Sequence, residues 1–159
     1  MNGAAALLDR LRERGLTVAT AESLTGGRVV AALVDVPGAS TVVRGGVVAY
    51  ATDTKQTVLG VDAALLAAHG AVHDQVARQL AAGARRVLGA DVGISTTGVA
   101  GPATADRQPV GRVFIGIAAH DGIQVLSLQL AGDREQIRSE TVTRAIAFAE
   151  ALVTGRPRK

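Results

Sequence analysis

The sequence contains no cysteine and no tryptophan, one tyrosine and two phenylalanines. Without cysteine there are no disulfides, no thiolate nucleophile and no thiolate metal site. Aromatics make up 2% of the chain against 48% hydrophobic residues, so a core must be built from Ala, Val, Leu and Ile. Stacking of nucleobases on aromatic rings has almost no material to work with. No apolar run approaches the roughly 18 residues of a membrane span. The opening MNGAAALLDRLRERG lacks a basic leader and carries Asp9, Arg10, Arg12, Glu13 and Arg14, which reads as an amphipathic helix rather than a signal peptide. The simple expectation is a cytoplasmic protein. Lysine is scarce as well, with only Lys55 and Lys159 among the 17 basic residues.

The formal charge of +3 is unevenly spread. Arg156, Arg158 and Lys159 lie in the terminal GRPRK, and without them the basic residues equal the 14 acids. The body is near neutral, so the basic face with aromatics that marks a nucleic-acid binder is missing. Residues 1–154 fit a single domain, with 155–159 read as a basic, disordered tail. His69 and His73 are four apart, but Gly70 separates them and no H-E-x-x-H motif occurs, so no metal site is expected.

Periodicity and punctuation predict a helix over 4–14 ended by Gly15, a strand over 17–21 and a helix over 26–34 stopped by DVPGAS. The Val-rich run 42–50 reads as a buried strand. Helical patterns follow at 52–59, 62–69 and 74–88, the last with Val76, Leu80, Ala84 and Val87 at helical spacing. A strand at 92–96, a loop at 98–109 and two strands flanking HDG, at 110–119 and 123–130, precede a final helix to 152. Early alternation of strands and helices with a late hairpin predicts an α/β fold. Its form would be a three-layer α/β/α sandwich with a mixed, mostly parallel sheet and a late antiparallel hairpin.

Four polar junctions could carry chemistry. In Glu22-Ser23-Leu24-Thr25-Gly26-Gly27 a strand meets a helix, whose first N–H groups suit a phosphate or an oxyanion; a cap with two turn glycines explains the same letters. In YATDTK, the lone internal lysine, Lys55, follows the lone tyrosine, Tyr50. A desolvated lysine can act as a base toward a serine, while a solvent-facing helix lysine is the plainer alternative. In ISTTGVAGP, Thr97 and Gly98 end a strand, where ligands gather in parallel α/β sheets. In AGDREQIRSE, Arg134 and Arg138 share a helix face and suit a phosphate or carboxylate, unless they only pair with Glu135 and Glu140.

Taken together, AESLTGG, GGVVAYATDTKQTVLGV, HGAVHDQVA, STTGVAGP…PVGRVFIGIA and GDREQIR resemble the CinA C-terminal domain family, typified by nicotinamide-nucleotide amidohydrolase, over roughly 7–152 and in its stand-alone form. The resemblance implies hydrolysis of the carboxamide of nicotinamide mononucleotide to nicotinate mononucleotide and ammonia, with no metal or organic cofactor. It implies Ser23 as nucleophile, Lys55 as its base and Tyr50 as an orienting group. Thr25, Gly26, Gly27, Thr97, Gly98, Arg134 and Arg138 become substrate-binding candidates, and a homo-oligomer is expected. For Lys55 to serve, its proton affinity must fall toward neutrality from a pKa of ~10.4. The chain departs from the family pattern at His73, where a serine is usual, and at ATADRQP, where a Gly-Gly pair is usual. A non-catalytic module that binds a phosphorylated pyridine nucleotide is the alternative function.

Overall fold

A computed structural model describes residues 3–154; the basic segment 155–159 lies outside them. The elements run α1 (Gly3–Glu13), β1 (Val18–Glu22), α2 (Arg28–Val34), β2 (Val43–Val48), α3 (Thr52–Thr57), α4 (Ala63–His69), α5 (Asp74–Leu88), β3 (Val92–Gly98), β4 (Arg112–Ala119), β5 (Gly122–Gln129) and α6 (Arg134–Thr154), with a 3₁₀ turn at Ala39–Thr41 that begins within DVPGAS. The sheet order is β2-β1-β3-β4-β5. β1 pairs parallel with β2 and β3, whereas β3–β4 and β4–β5 are antiparallel, so only β4 runs against the rest. The three-layer mixed sheet expected from the sequence is the architecture observed.

The two faces of the sheet bury different cores. α1, α2 and α6 pack Leu7, Leu8, Leu11, Leu33 and Ile137 against Val18, Ile94 and Ile115. On the other face α5 lays Val76, Leu80 and Ala84 over Ala19 and Ala21; Val87, at the end of that stripe, is exposed. α5 approaches the strands closely where small residues meet it. A Cβ at Gly93 would overlap the Ala81 carbonyl, and one at Gly116 the Ala77 carbonyl. Ser95 Oγ also donates to Ala77 O at 2.6 Å.

Two expectations are corrected, each for a physical reason. The run 42–50 is not a buried strand: β2 alternates half-buried and exposed residues, because it is an edge strand with one neighbour. The strand fully covered on both faces is β1, whose small and β-branched residues give the near-continuous pattern of a central parallel strand. α2 begins at Arg28 rather than at 26, since Gly26 and Gly27 take φ of 59° and 96°, a left-handed conformation that glycine adopts without cost. The chain leaves β1 toward β2 on one side and later returns to β3 on the other. That reversal opens a crevice at the carboxyl ends of β1 and β3.

Candidate active site

Ser23 stands one residue beyond β1, tied to the neighbouring strand by its N–H to Thr96 O at 3.1 Å. The preceding Glu22 explains the loop's shape. Its carboxylate is buried, 1% exposed, and accepts five hydrogen bonds: from Thr20 Oγ1 at 3.1 Å, Thr25 Oγ1 at 2.7 Å, and the N–H groups of Gly27 at 3.0 Å, Val29 at 3.0 Å and Val30 at 2.8 Å. A carboxylate at a helix start is favoured by the free amides and the dipole. The amides that the sequence offered to a phosphate are therefore taken from within. Thr25 is buried, its hydroxyl shared between Glu22 and Thr96 Oγ1. Arg138 spans the same loop, donating from Nε to Leu24 O at 2.8 Å and from Nη2 to Thr25 O at 3.4 Å. The structure does not bring Thr25, Gly26, Gly27 or Arg138 into the cavity beside Ser23.

That cavity, of about 330 Å³, gathers Ser23, Tyr50, Lys55, Thr97, Gly98 and Arg134 from four separate stretches of chain. Ser23 is half-buried, and its hydroxyl has no hydrogen-bond partner among the described residues. The Leu24 N–H that follows it also has no acceptor among them. Lys55 projects from α3 and is 1% exposed. Its Nζ donates to Ala49 O at 2.7 Å and Tyr50 O at 3.3 Å. The Ala49 N–H in turn donates to Glu22 O at 2.9 Å, which holds the ends of β1 and β2 together. Burial lowers the Lys55 pKa to about 8, against the opposing pull of the Asp106 carboxylate. Lys55 is thus the desolvated amine, not the solvent-facing one. No hydrogen bond joins Ser23 Oγ to Nζ in this arrangement, a looseness common in ligand-free sites.

Tyr50 is 62% exposed and its hydroxyl accepts from Arg134 Nη2 at 3.1 Å, while Arg134 Nη1 donates to Gly101 O at 2.7 Å. α6 presents Arg134 from its first turn, where Asp133 caps the Gln136 N–H at 2.9 Å and the Gln136 side chain returns a bond to the Asp133 N–H at 2.8 Å, a reciprocal capping box. Neither Arg134 nor Arg138 forms a salt bridge among the described residues, although the Arg138 charge contributes to lowering the Glu135 pKa. Glu135 instead takes Arg28 at 2.6 Å, which, with Ser139, holds its pKa down to about 2, and Glu140 takes Arg144.

Asp106 was not legible as a site residue. It lies in the ATADRQP loop, yet its Oδ2 accepts the N–H groups of Ala71 at 2.8 Å and Val72 at 3.3 Å. Thr97 Oγ1 donates to Ala71 O at 2.7 Å, so both sides of this turn are fixed to the cavity wall. His69 and His73 stack with ring centroids 4.5 Å apart, and His73 Nδ1 caps α5 by accepting the Gln75 N–H at 3.2 Å. No group of three or more potential metal ligands occurs among the described residues, and no helix among them is long and apolar enough to cross a membrane.

A family model described as the CinA C-terminal domain matches residues 2–153. A CinA-like protein of Frankia casuarinae is 48% identical over 151 residues, covering 95% of this chain and 35% of the relative. One from Anaeromyxobacter dehalogenans is 49% identical over 138 residues, covering 86% and 34%. The chain thus spans about a third of the length of these curated relatives. Among solved structures, competence damage-inducible protein A (ComA) from Klebsiella pneumoniae superposes with a TM-score of 0.94 at 30% identity, over 98% of this chain and 97% of that one. The competence/damage inducible protein CihA from Agrobacterium tumefaciens gives 0.89 at 34% identity, over 96% of each. The chain belongs to the CinA C-terminal domain family.

Proposed function

We propose that this member of the CinA C-terminal domain family is an amidohydrolase that converts nicotinamide mononucleotide to nicotinate mononucleotide and ammonia. The observation that carries the reading is a half-buried serine hydroxyl and a desolvated lysine amine lining one cavity. With a pKa of about 8, about one amine in ten is neutral at pH 7 and able to accept a proton. Ser23 Oγ attacks the carboxamide carbon as its proton passes to Lys55 Nζ. The Leu24 N–H, next in the chain and without an acceptor among the described residues, stabilises the resulting oxyanion; one such donor is typically worth about 3–4 kcal/mol of barrier. Collapse breaks the C–N bond, and Nζ returns the proton so that nitrogen leaves as ammonia. Water, deprotonated by Lys55, then cleaves the acyl ester and regenerates Ser23.

Arg134 supplies positive charge for the phosphate, with Tyr50 fixing its guanidinium. Arg138 and the Glu22 carboxylate act at one remove, by holding the loop that carries Ser23. The test is ammonia release from nicotinamide mononucleotide. Wild type should turn over and Ser23→Ala should lose at least ~10³-fold in kcat, while its stability changes by no more than about 0.5 kcal/mol. Binding without turnover in the wild type would instead favour a module that holds the nucleotide.

A further inference from the structure

Among the described residues Asp106 is the one acidic side chain lining the cavity, whose other charged or titratable members are Lys55, Tyr50 and Arg134. We propose that its carboxylate recognises positive charge on the ring of the substrate, so that the site selects phosphate-bearing N-substituted pyridinium carboxamides over amides with an uncharged ring. The proposal rests on the amidohydrolase reading of this cavity and specifies what that hydrolase distinguishes.

Asp106 is exposed, and its carboxylate is tied to the fold through one oxygen only. Oδ2 is pinned by two N–H groups of the 71–72 turn, and Oδ1 has no partner among the described residues. The space for it exists because residue 70 is glycine, where a Cβ would run into the carboxyl group. Asp106 and Arg107 take φ of 50° and 57°, the only non-glycine residues with positive φ among those described. Backbone held in that region persists only where its surroundings fix it, and such positions gather at ligand sites.

A carboxylate near a general base is counterproductive by itself, since it strengthens the amine's hold on its proton. It becomes useful if the ligand brings a compensating cation. Arg134 stands in the same cavity with the opposite charge, so the site is dipolar. A mononucleotide with a positive ring and a negative phosphate matches both poles, and about 330 Å³ falls within the range of small-molecule sites. The bound ring then offsets Asp106 and releases the Lys55 proton in the complex. For such a substrate the acid limb of kcat lies below that of kcat/KM, whereas for a neutral ring the two limbs coincide.

Calorimetry on Ser23→Ala tests this without turnover, using nicotinamide mononucleotide and its reduced 1,4-dihydropyridine form, which keeps the carboxamide, ribose and phosphate but has a neutral ring. The oxidised form should bind roughly five- to tenfold more tightly. Adding Asp106→Asn, which retains an acceptor for the 71–72 turn, should remove that advantage and leave the affinity for the reduced form within about twofold. Equal affinities in Ser23→Ala, or equal losses for both forms with Asp106→Asn, would overturn the proposal. Ammonia assays on wild type are read separately. A wild type that hydrolyses neither form while the charge preference stands removes the hydrolase and leaves Asp106 as a reader of ring charge.

Discussion

Replacing Lys55 by methionine tests the base without any substrate. The amine is 1% exposed and holds a proton with a pKa of about 8 instead of 10.5, a gap equivalent to about 3 kcal/mol. Below pH 8 the amine is protonated in both folded and unfolded chains, and folding carries the whole cost of burying its charge. Between pH 8 and 10.5 the unfolded chain binds more protons than the folded one, so stability rises with pH; above 10.5 the cost is gone. Lys55→Met has no such contribution. Its lost hydrogen bonds to the Ala49 and Tyr50 carbonyls displace its stability by an amount nearly independent of pH, and titrations common to both proteins cancel. Urea unfolding followed by circular dichroism at pH 7, 8.5 and 10 should show wild type gaining on the variant by about 2–3 kcal/mol across that span. A difference constant within about 0.5 kcal/mol would mean that Lys55 keeps an ordinary proton affinity, and the proposed mechanism would lose its base.

Three further outcomes are expected. If Lys55, with its pKa of about 8, is the base as proposed, kcat/KM for ammonia release should rise about tenfold per pH unit below pH 8 and level off above it; a profile flat from pH 6 to 9 would contradict this. Glu22→Gln should cost about 2–4 kcal/mol in urea unfolding, since an amide NH₂ in place of either carboxylate oxygen faces donors that have lost their acceptor; a loss under about 1 kcal/mol would show that the loop repacks. Gly93→Ala should cost about 1–3 kcal/mol or more by forcing α5 off the sheet at Ala81, read as a drop in Tm, and an unchanged Tm would refute the close approach.

What could be read from the letters was local. The α5 boundaries follow from its helical apolar spacing and its final glycine, and the β4–β5 hairpin follows from Asp121-Gly122 between two apolar runs. The Val-rich run at β2 misled because composition does not say whether a strand has one neighbour or two. The junction at Ser23 stood out as a strand–helix turn, but its glutamate did not. That Glu22 would curl back onto the amides of α2, and so fill the phosphate cradle its neighbours suggested, depends on β1 being covered by that helix. Asp106 was hidden for a related reason: its partners lie 34 and 35 positions away, and a loop acid carries no periodic signal.

The proposed chemistry turns on the separation of Glu22 from Lys55. Both are buried charged side chains, Glu22 ending β1 and Lys55 reaching back from α3 to the end of β2, and they are linked through Ala49, whose N–H meets the Glu22 carbonyl and whose carbonyl meets Nζ. A direct ion pair would be the ordinary solution for two such groups, and it would hold the amine's proton firmly. Here the glutamate's charge is satisfied by two hydroxyls and three amides, and the lysine is left with backbone carbonyls alone. Neutral acceptors solvate the ammonium only in part, so desolvation prevails and the pKa falls. The acid shapes the loop that carries the hydroxyl, and the amine stays free to exchange a proton. A fold that let these two side chains meet would gain an ion pair and lose the lowered proton affinity that the proposed base requires.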